Sequence, residues 1–385
     1  MSLLERAAAL VPAEVDLALE AEIGDALLWT GRADDALRRA DALAERASAA
    51  GDRVDELCGR IQAGIIGIYL GTEGATEKLA ALVEQALPVF EAAGDDLALY
   101  VAYNALAEVA ETRGRMDTAL EAFEQAFAHA RRAGHLPPGY LGRRAALRSF
   151  GSTPVSELVS WLDENEPPEG RDHFLHAYRA TALAMLGRLD EAREILARSR
   201  AELAERGGEV LLANIVAFES VWVELWAGDP AAALRFAAEG FGLHEELGER
   251  IFLSGAAGSM AQALYALDRL DEADDWAARA ADLDTSNEVS NGMLWRQVRA
   301  KVLARRGRHV EAERLARDAV AMGDDTESLN WQGDANADLA EVLLLGGEHD
   351  EAVAALETAV ERFERKGNLV SAQRARARLA ELRDP

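Results

Sequence analysis

Few side chains in this 385-residue chain fall at spacings that do chemistry. His173-Phe-Leu-His176 places two imidazoles at i, i+3 on one helix face, where they could hold a metal ion. No carboxylate or cysteine is organised around them, so they read as surface or capping histidines. Arg296, Arg299, Lys301, Arg305, Arg306 and Arg308 concentrate positive charge that could take phosphate or an acidic peptide. The competing reading is a solvated helix face that answers an acidic neighbour. Gly255-Ala-Ala-Gly258 falls short of a phosphate loop, and no Gly-x-x-x-x-Gly-Lys-Ser/Thr occurs. Its glycines are expected to permit close helix contact. The single cysteine, Cys58, excludes an intrachain disulfide and a cysteine-based zinc site. It lies in an apolar run, where a buried, inert thiol is expected. No catalytic constellation emerges, so the chain reads as non-enzymatic, with no cofactor or metal.

The elements that carry these residues are set by a recurring turn. Gly31-Arg-Ala-Asp-Asp-Ala36, Gly114-Arg-Met-Asp-Thr-Ala119, Gly187-Arg-Leu-Asp-Glu-Ala192, Gly307-Arg-His-Val-Glu-Ala312 and Gly347-Glu-His-Asp-Glu-Ala352 are copies of one motif. Weaker copies stand at Gly71, Gly151, Gly228 and Asp268, and successive copies are 36 to 43 residues apart. A fixed period in this range means a repeat array. Apolar residues recur at helical spacing on both sides of each turn, so the unit is an αα-hairpin. A second series of stops lies between hairpins, at Gly51, Gly94, Gly134, Pro167–Gly170, Gly207, Gly248, 284–287, Gly323 and Gly367. Glycine there fits a helix C-cap. Small residues fill the position seven before the turn, except at Arg144 and Val221, and the position five after it. They let paired helices approach closely. Residues 1–385 are therefore read as a single all-α array of about nine hairpins. The repeat near 135–170 is degenerate, with Arg144 at a small position and Pro154 after the turn, and is a candidate bend.

The turn Gly187-Arg-Leu-Asp-Glu-Ala192 and the set Ala107, Gly114, Ala119, Phe123 and Ala126 resemble the tetratricopeptide-repeat family over nearly the whole chain. The family's period is about 34 residues, and the longer period here is similar to the solenoid regions of bacterial regulators. Examples are MalT-like and other LuxR-type activators, and the C-terminal regions of AAA-ATPase and nucleotide-cyclase regulators. The resemblance implies a right-handed superhelix whose first helices line a concave groove, closed by the tail helix Phe363–Leu382. Positions 13, 10, 6, 3 and 2 before each turn would then face the groove. Those selected as binding residues are Tyr69, Asn104, Phe174, Phe218, Trp222, Trp226, Tyr265, Gln297 and Lys301. The same register places Cys58, Ile61, Ile65, Ile68, Glu108, Glu111, Met185, Ile215, Leu225, Gln262 and Arg305 there. An aromatic middle with polar ends suits a peptide or small ligand. The competing reading packs the aromatics between repeats.

The implied function is a non-enzymatic protein-interaction or sensor module of a bacterial regulatory protein, binding a partner or peptide in the groove. The alternatives are the small-molecule receptor domain of a MalT-like transcriptional regulator, which needs a deep closed pocket, and a self-associating scaffold. The formal charge of −27 argues against nucleic-acid binding. No charge-free apolar run of 18 residues occurs and no secretory signal opens the chain, so a cytoplasmic monomer or weak dimer is expected. The apolar opening from Leu3 to Val11 reads as a helix cut from a longer protein and as a less protected end. Arg374, Arg376 and Arg378 are expected to cap the C-terminal end.

Overall fold

The computed structural model describes residues 17–135, 139–166, 173–206, 208–248, 250–284 and 288–383. The opening run Leu3–Val11 and the stops at Pro167–Gly170, Gly207 and 285–287 lie outside them. The described residues form helix pairs joined by short turns. In order these are α1 (Leu17–Leu28) and α2 (Ala33–Ala50), α3 (Arg53–Tyr69) and α4 (Ala75–Ala93), α5 (Asp96–Thr112) and α6 (Met116–Arg132), α7 (Tyr140–Phe150) and α8 (Val155–Glu164), and α9 (His173–Met185) and α10 (Leu189–Arg206). They continue with α11 (Glu209–Ala227) and α12 (Pro230–Leu247), α13 (Arg250–Ala266) and α14 (Leu270–Leu283), α15 (Val289–Arg305) and α16 (His309–Asp324), and α17 (Leu329–Gly346) and α18 (His349–Lys366). The helix α19 (Leu369–Arg383) closes the array. The protein is an all-α solenoid.

The turn column works through backbone conformation. Gly187 holds φ 83°, in the left-handed region, and Asp268 reaches φ 59° at the equivalent place. Among the described residues Asp268 is the one non-glycine with positive φ, a conformation Asp tolerates better than most residues. The alanines five residues after the turn, such as Ala119, Ala192 and Ala273, are fully buried. So are Ala107, Ala180 and Ala261, seven residues before it.

The hairpin at Gly151 departs from this plan. Gly151 has φ −76° and ψ −160°, so its turn is not left-handed. The buried columns move one residue toward the turn. Ala145 and Val155 are fully buried, while Ser156, expected in the column, is exposed. Arg144 turns outward to Glu124 at 2.8 Å and over the Phe127 and Trp161 rings. Helix α9 packs on both α7 and α8, so stacking runs through this repeat. Gly323, expected to end a helix, lies inside α16 and is buried there.

The superhelix winds back onto itself, and the contacts between its turns are helix caps. Each helix end leaves unpaired backbone groups, with partial positive charge at the N-terminus and negative at the C-terminus. The Glu327 carboxylate accepts from the Asp117 and Thr118 N–H groups at 2.8 and 3.0 Å, capping α6 from the far side of the chain. The Glu327 N–H donates to the Gly114 carbonyl at 3.0 Å. The Lys366 ammonium, fully buried, donates to the carbonyls of Arg148, Gly151 and Thr153 at 2.9, 2.8 and 2.8 Å. Arg374 donates to the Leu225 and Trp226 carbonyls that end α11. Arg374 is therefore an inter-turn clamp, not an end cap. Arg376 and Arg378 pair with Glu364 and Glu381. Winding back in this way encloses a central space.

Candidate central binding cavity

The first helix of each pair turns one stripe toward the superhelix axis, and the stripes together line a cavity of about 1450 Å³. All nine residues selected from the sequence line it: Tyr69, Asn104, Phe174, Phe218, Trp222, Trp226, Tyr265, Gln297 and Lys301. The aromatics among them are half-buried at its wall. Cys58 and Ile61, placed in the groove by the same register, are instead fully buried in a core cluster with Leu57, Val83 and Phe90. Burial and nearby Asp55 push the Cys58 thiol well up, so it is inert.

The aromatic side chains form a linked network. Phe150 meets Trp222, Tyr178 and Trp331 at 5.8, 5.8 and 5.9 Å between ring centroids. Phe218 meets Trp222 at 6.1 Å and Phe252 at 6.4 Å, and Phe252 reaches Tyr69 at 6.4 Å. Behind them His244 is fully buried and pushed down to about 4 by burial, so it stays neutral. The wall therefore joins repeats far apart in sequence.

Two polar clusters flank this network. Arg143 binds Glu111 at 3.0 Å and also Glu108. Burial alone would lower Arg143, but its carboxylate partners more than reverse this and hold it charged. At the other end Lys301 meets Asp338 at 2.7 Å and stands 4.7 Å from the Tyr265 ring centroid. Tyr265 donates its hydroxyl to Glu341, and burial followed by that carboxylate pushes the phenol up. Asp334, on the cavity wall beside them, is raised to about 7 by burial and then by Asp338.

Sequence reasoning passed over several wall residues. Glu219, 5% exposed, is one of two carboxylates in the run Val210–Trp226, the other being Glu224, and burial pushes Glu219 up to about 7. Sequence alone does not single it out, since Glu224 stands in the same apolar helix and only the fold pairs that residue, with Arg193 at 2.6 Å. Glu219 Oε2 makes no hydrogen bond among the described residues, and neither do Asn214 Oδ1, Gln62 Nε2, Ser259 Oγ and Gln297 Nε2. All five residues line the cavity. Buried polar atoms are ordinarily paired, and each unpaired one calls for an explanation. Around Glu219 helix α11 widens into a π segment, Ile215–Glu219, a local form frequent at functional sites. Helix α11, Glu209–Ala227, is also the one described helix long and apolar enough to cross a membrane, and 61% of that window is buried in this fold.

The other sequence candidates resolve locally. His173 and His176 diverge, His176 meeting Glu166 at 2.9 Å and His173 lying 3.8 Å from Glu202. No group of three metal-ligating side chains occurs among the described residues. The cationic run is matched by acids: Arg299 by Asp274, Arg305 by Asp268, Arg306 by Asp271 and Asp274, and Arg308 by Glu311. Arg296 lies over the Trp295 ring. A Cβ on Gly255 would fall 2.9 Å from Asn291, and one on Gly258 would fall 2.5 Å from Leu294. Those glycines let α13 approach α15.

Comparison with known proteins agrees with this architecture. A tetratricopeptide-repeat family model matches residues 162–198, 298–318 and 335–358. The fold is similar to that of a Rap protein complexed with competence and sporulation factor, with a TM-score of 0.57 and 13% identity over 96% of this chain and 98% of that one. It is also similar to a human IFIT1 dimer with m7Gppp-AAAA, with a TM-score of 0.56 and 12% identity over 99% and 85%. No curated protein matches the sequence.

Proposed function

We propose, from the premise that this chain is a tetratricopeptide-repeat solenoid, that it is a non-catalytic interaction module whose central cavity takes up a peptide or an extended segment of a partner protein. The observation that carries this reading is the wall itself: five buried polar atoms without partners among the described residues, beside a linked network of aromatic rings. Such a wall offers polar groups to an entering segment that brings donors and acceptors. The volume favours a peptide, since about 1450 Å³ exceeds the roughly 300–1,000 Å³ of ordinary small-ligand pockets. Each polar cluster is ion-paired within itself, which suits binding. A sensor role within a regulatory protein is the setting in which such a module acts.

The test is selection from a random peptide library against the chain, with a Phe218→Ala/Trp222→Ala variant as comparison, both checked for folding by circular dichroism. Enriched peptides should bind the variant on the order of 30-fold more weakly, as loss of a central aromatic anchor costs about 2 kcal/mol. Peptides that bind both proteins equally, or a library that yields no binder, would count against the cavity as a peptide site.

A further inference from the structure

We infer that the wall around Glu219 is a subsite for an organic cation, the ammonium or guanidinium of a lysine or arginine side chain in the bound segment. The inference rests on the peptide-binding reading and adds the chemistry of one position. Glu219 and Asn214 lie one π-helical turn apart on α11, and both line the cavity. Both are at least nine-tenths buried. Asn214 Oδ1 is an acceptor, and Glu219 Oε2 is one when its carboxyl is ionised, so a cationic donor would serve both. Neighbouring rings suit a cation. Phe218 and Trp222 flank Glu219 in the helix and lie 6.1 Å apart, and Phe150 touches Trp222 and Tyr178. Tyr178 feels the Glu219 charge, since burial and then Glu219 push its phenol up. An aromatic enclosure with one carboxylate is the standard recognition chemistry for ammonium and guanidinium groups.

The cations that line the cavity are committed elsewhere: Arg39 to Glu20, Arg143 to Glu108 and Glu111, Lys301 to Asp338, Arg305 to Asp268, Arg374 to the end of α11 and Arg378 to Glu381. None of them is paired with Glu219. A buried carboxyl without a cation is held toward its neutral form, and an incoming cation is what makes its charge favourable. The chain's net charge of −27 draws such a group in.

The experiment uses fluorescently labelled hexapeptide pools with arginine, lysine, norleucine or glutamate fixed at each position in turn, and free cadaverine. Binding to the full chain and to Glu219→Gln is read by polarisation for the pools and by calorimetry for cadaverine. The Gln side chain keeps the shape of Glu, so the variant is expected to fold. At one position the arginine or lysine pool should bind at least 10-fold tighter than norleucine, and Glu219→Gln should erase that preference. Pools that bind without a basic preference, or a preference that survives Glu219→Gln, overturn the cation subsite and leave peptide binding standing. Cadaverine binding that depends on Glu219, with no pool binding, supports the subsite and overturns the peptide reading. Absence of binding by pools and cadaverine alike overturns both.

Discussion

Replacing Lys366 with methionine should open the seam between the two turns of the superhelix. The Nζ group donates to three backbone carbonyls, at 2.8 to 2.9 Å, that lie 213 to 218 residues earlier in the chain. Met keeps the apolar stem and most of the volume, so the change isolates the ammonium. Three charge-assisted bonds at about 1.5–3 kcal/mol each set an upper bound. Against them stands the desolvation of a fully buried ammonium, which pulls the Lys366 pKa down to about 7. The net loss should be about 3 kcal/mol, enough to raise local opening on the order of 100-fold. Hydrogen exchange read by mass spectrometry is the assay, with protection followed in 148–155 and 366–372. The variant should exchange faster there, while α2 and α4, remote from the seam, stay unchanged. Unchanged protection in both segments would refute the claim that Lys366 holds the turns together. A uniform loss across the chain would refute the claim that the effect is local.

Three further perturbations test separate parts of the account. Glu219 has a folded-state pKa raised from 4.5 to about 7, so its protonated form is the one the fold favours. The stability this contributes is present below about pH 4.5 and is lost as pH rises through 7. Glu219→Gln should therefore be roughly 2–3 kcal/mol more stable than the parent at pH 8 and about equal at pH 4; a difference in urea midpoint that does not change with pH contradicts this. Gly151→Ala would place a Cβ 2.4 Å from the Asp117 carboxylate and 2.8 Å from the Leu147 carbonyl. It should lower stability by about 2 kcal/mol or more, and an unchanged thermal midpoint would show that the turn has room. Asp268→Gly relieves a left-handed non-glycine backbone at φ 59° and should raise stability by about 1 kcal/mol. The Arg305 partner that it forgoes is at the surface. A fall in urea midpoint would mean that the ion pair outweighs the backbone strain.

The fold was readable because its signals are local. A turn residue able to adopt positive φ and alanines on either side recur wherever two helices must meet closely, and neither depends on distant sequence. Reading failed where the turn changed, since Gly151 adopts a different backbone and shifts the buried columns to Ala145 and Val155. The register implied by the family resemblance placed all nine selected residues on the inner wall. The same register misplaced Cys58 and Ile61, because the first half of α3 packs into the core with α4. The contacts that wind the superhelix onto itself were not readable at all. Lys366 and Arg374 bind backbone carbonyls, and a carbonyl leaves no mark on residue type. Glu219 could not be told from Glu224 in the same apolar helix. Its lack of a partner is a property of the folded wall.

The central claim is that partner recognition takes place inside the superhelix, and site mapping by photo-crosslinking tests it most directly. A library-selected peptide carrying benzoylphenylalanine would be irradiated with the full chain and the adducts located by mass spectrometry. The account predicts adducts on wall residues, with Phe218, Trp222, Trp226 and Tyr265 foremost. Adducts confined to the outer helices, for example beside the exposed Val310 on α16, would contradict it.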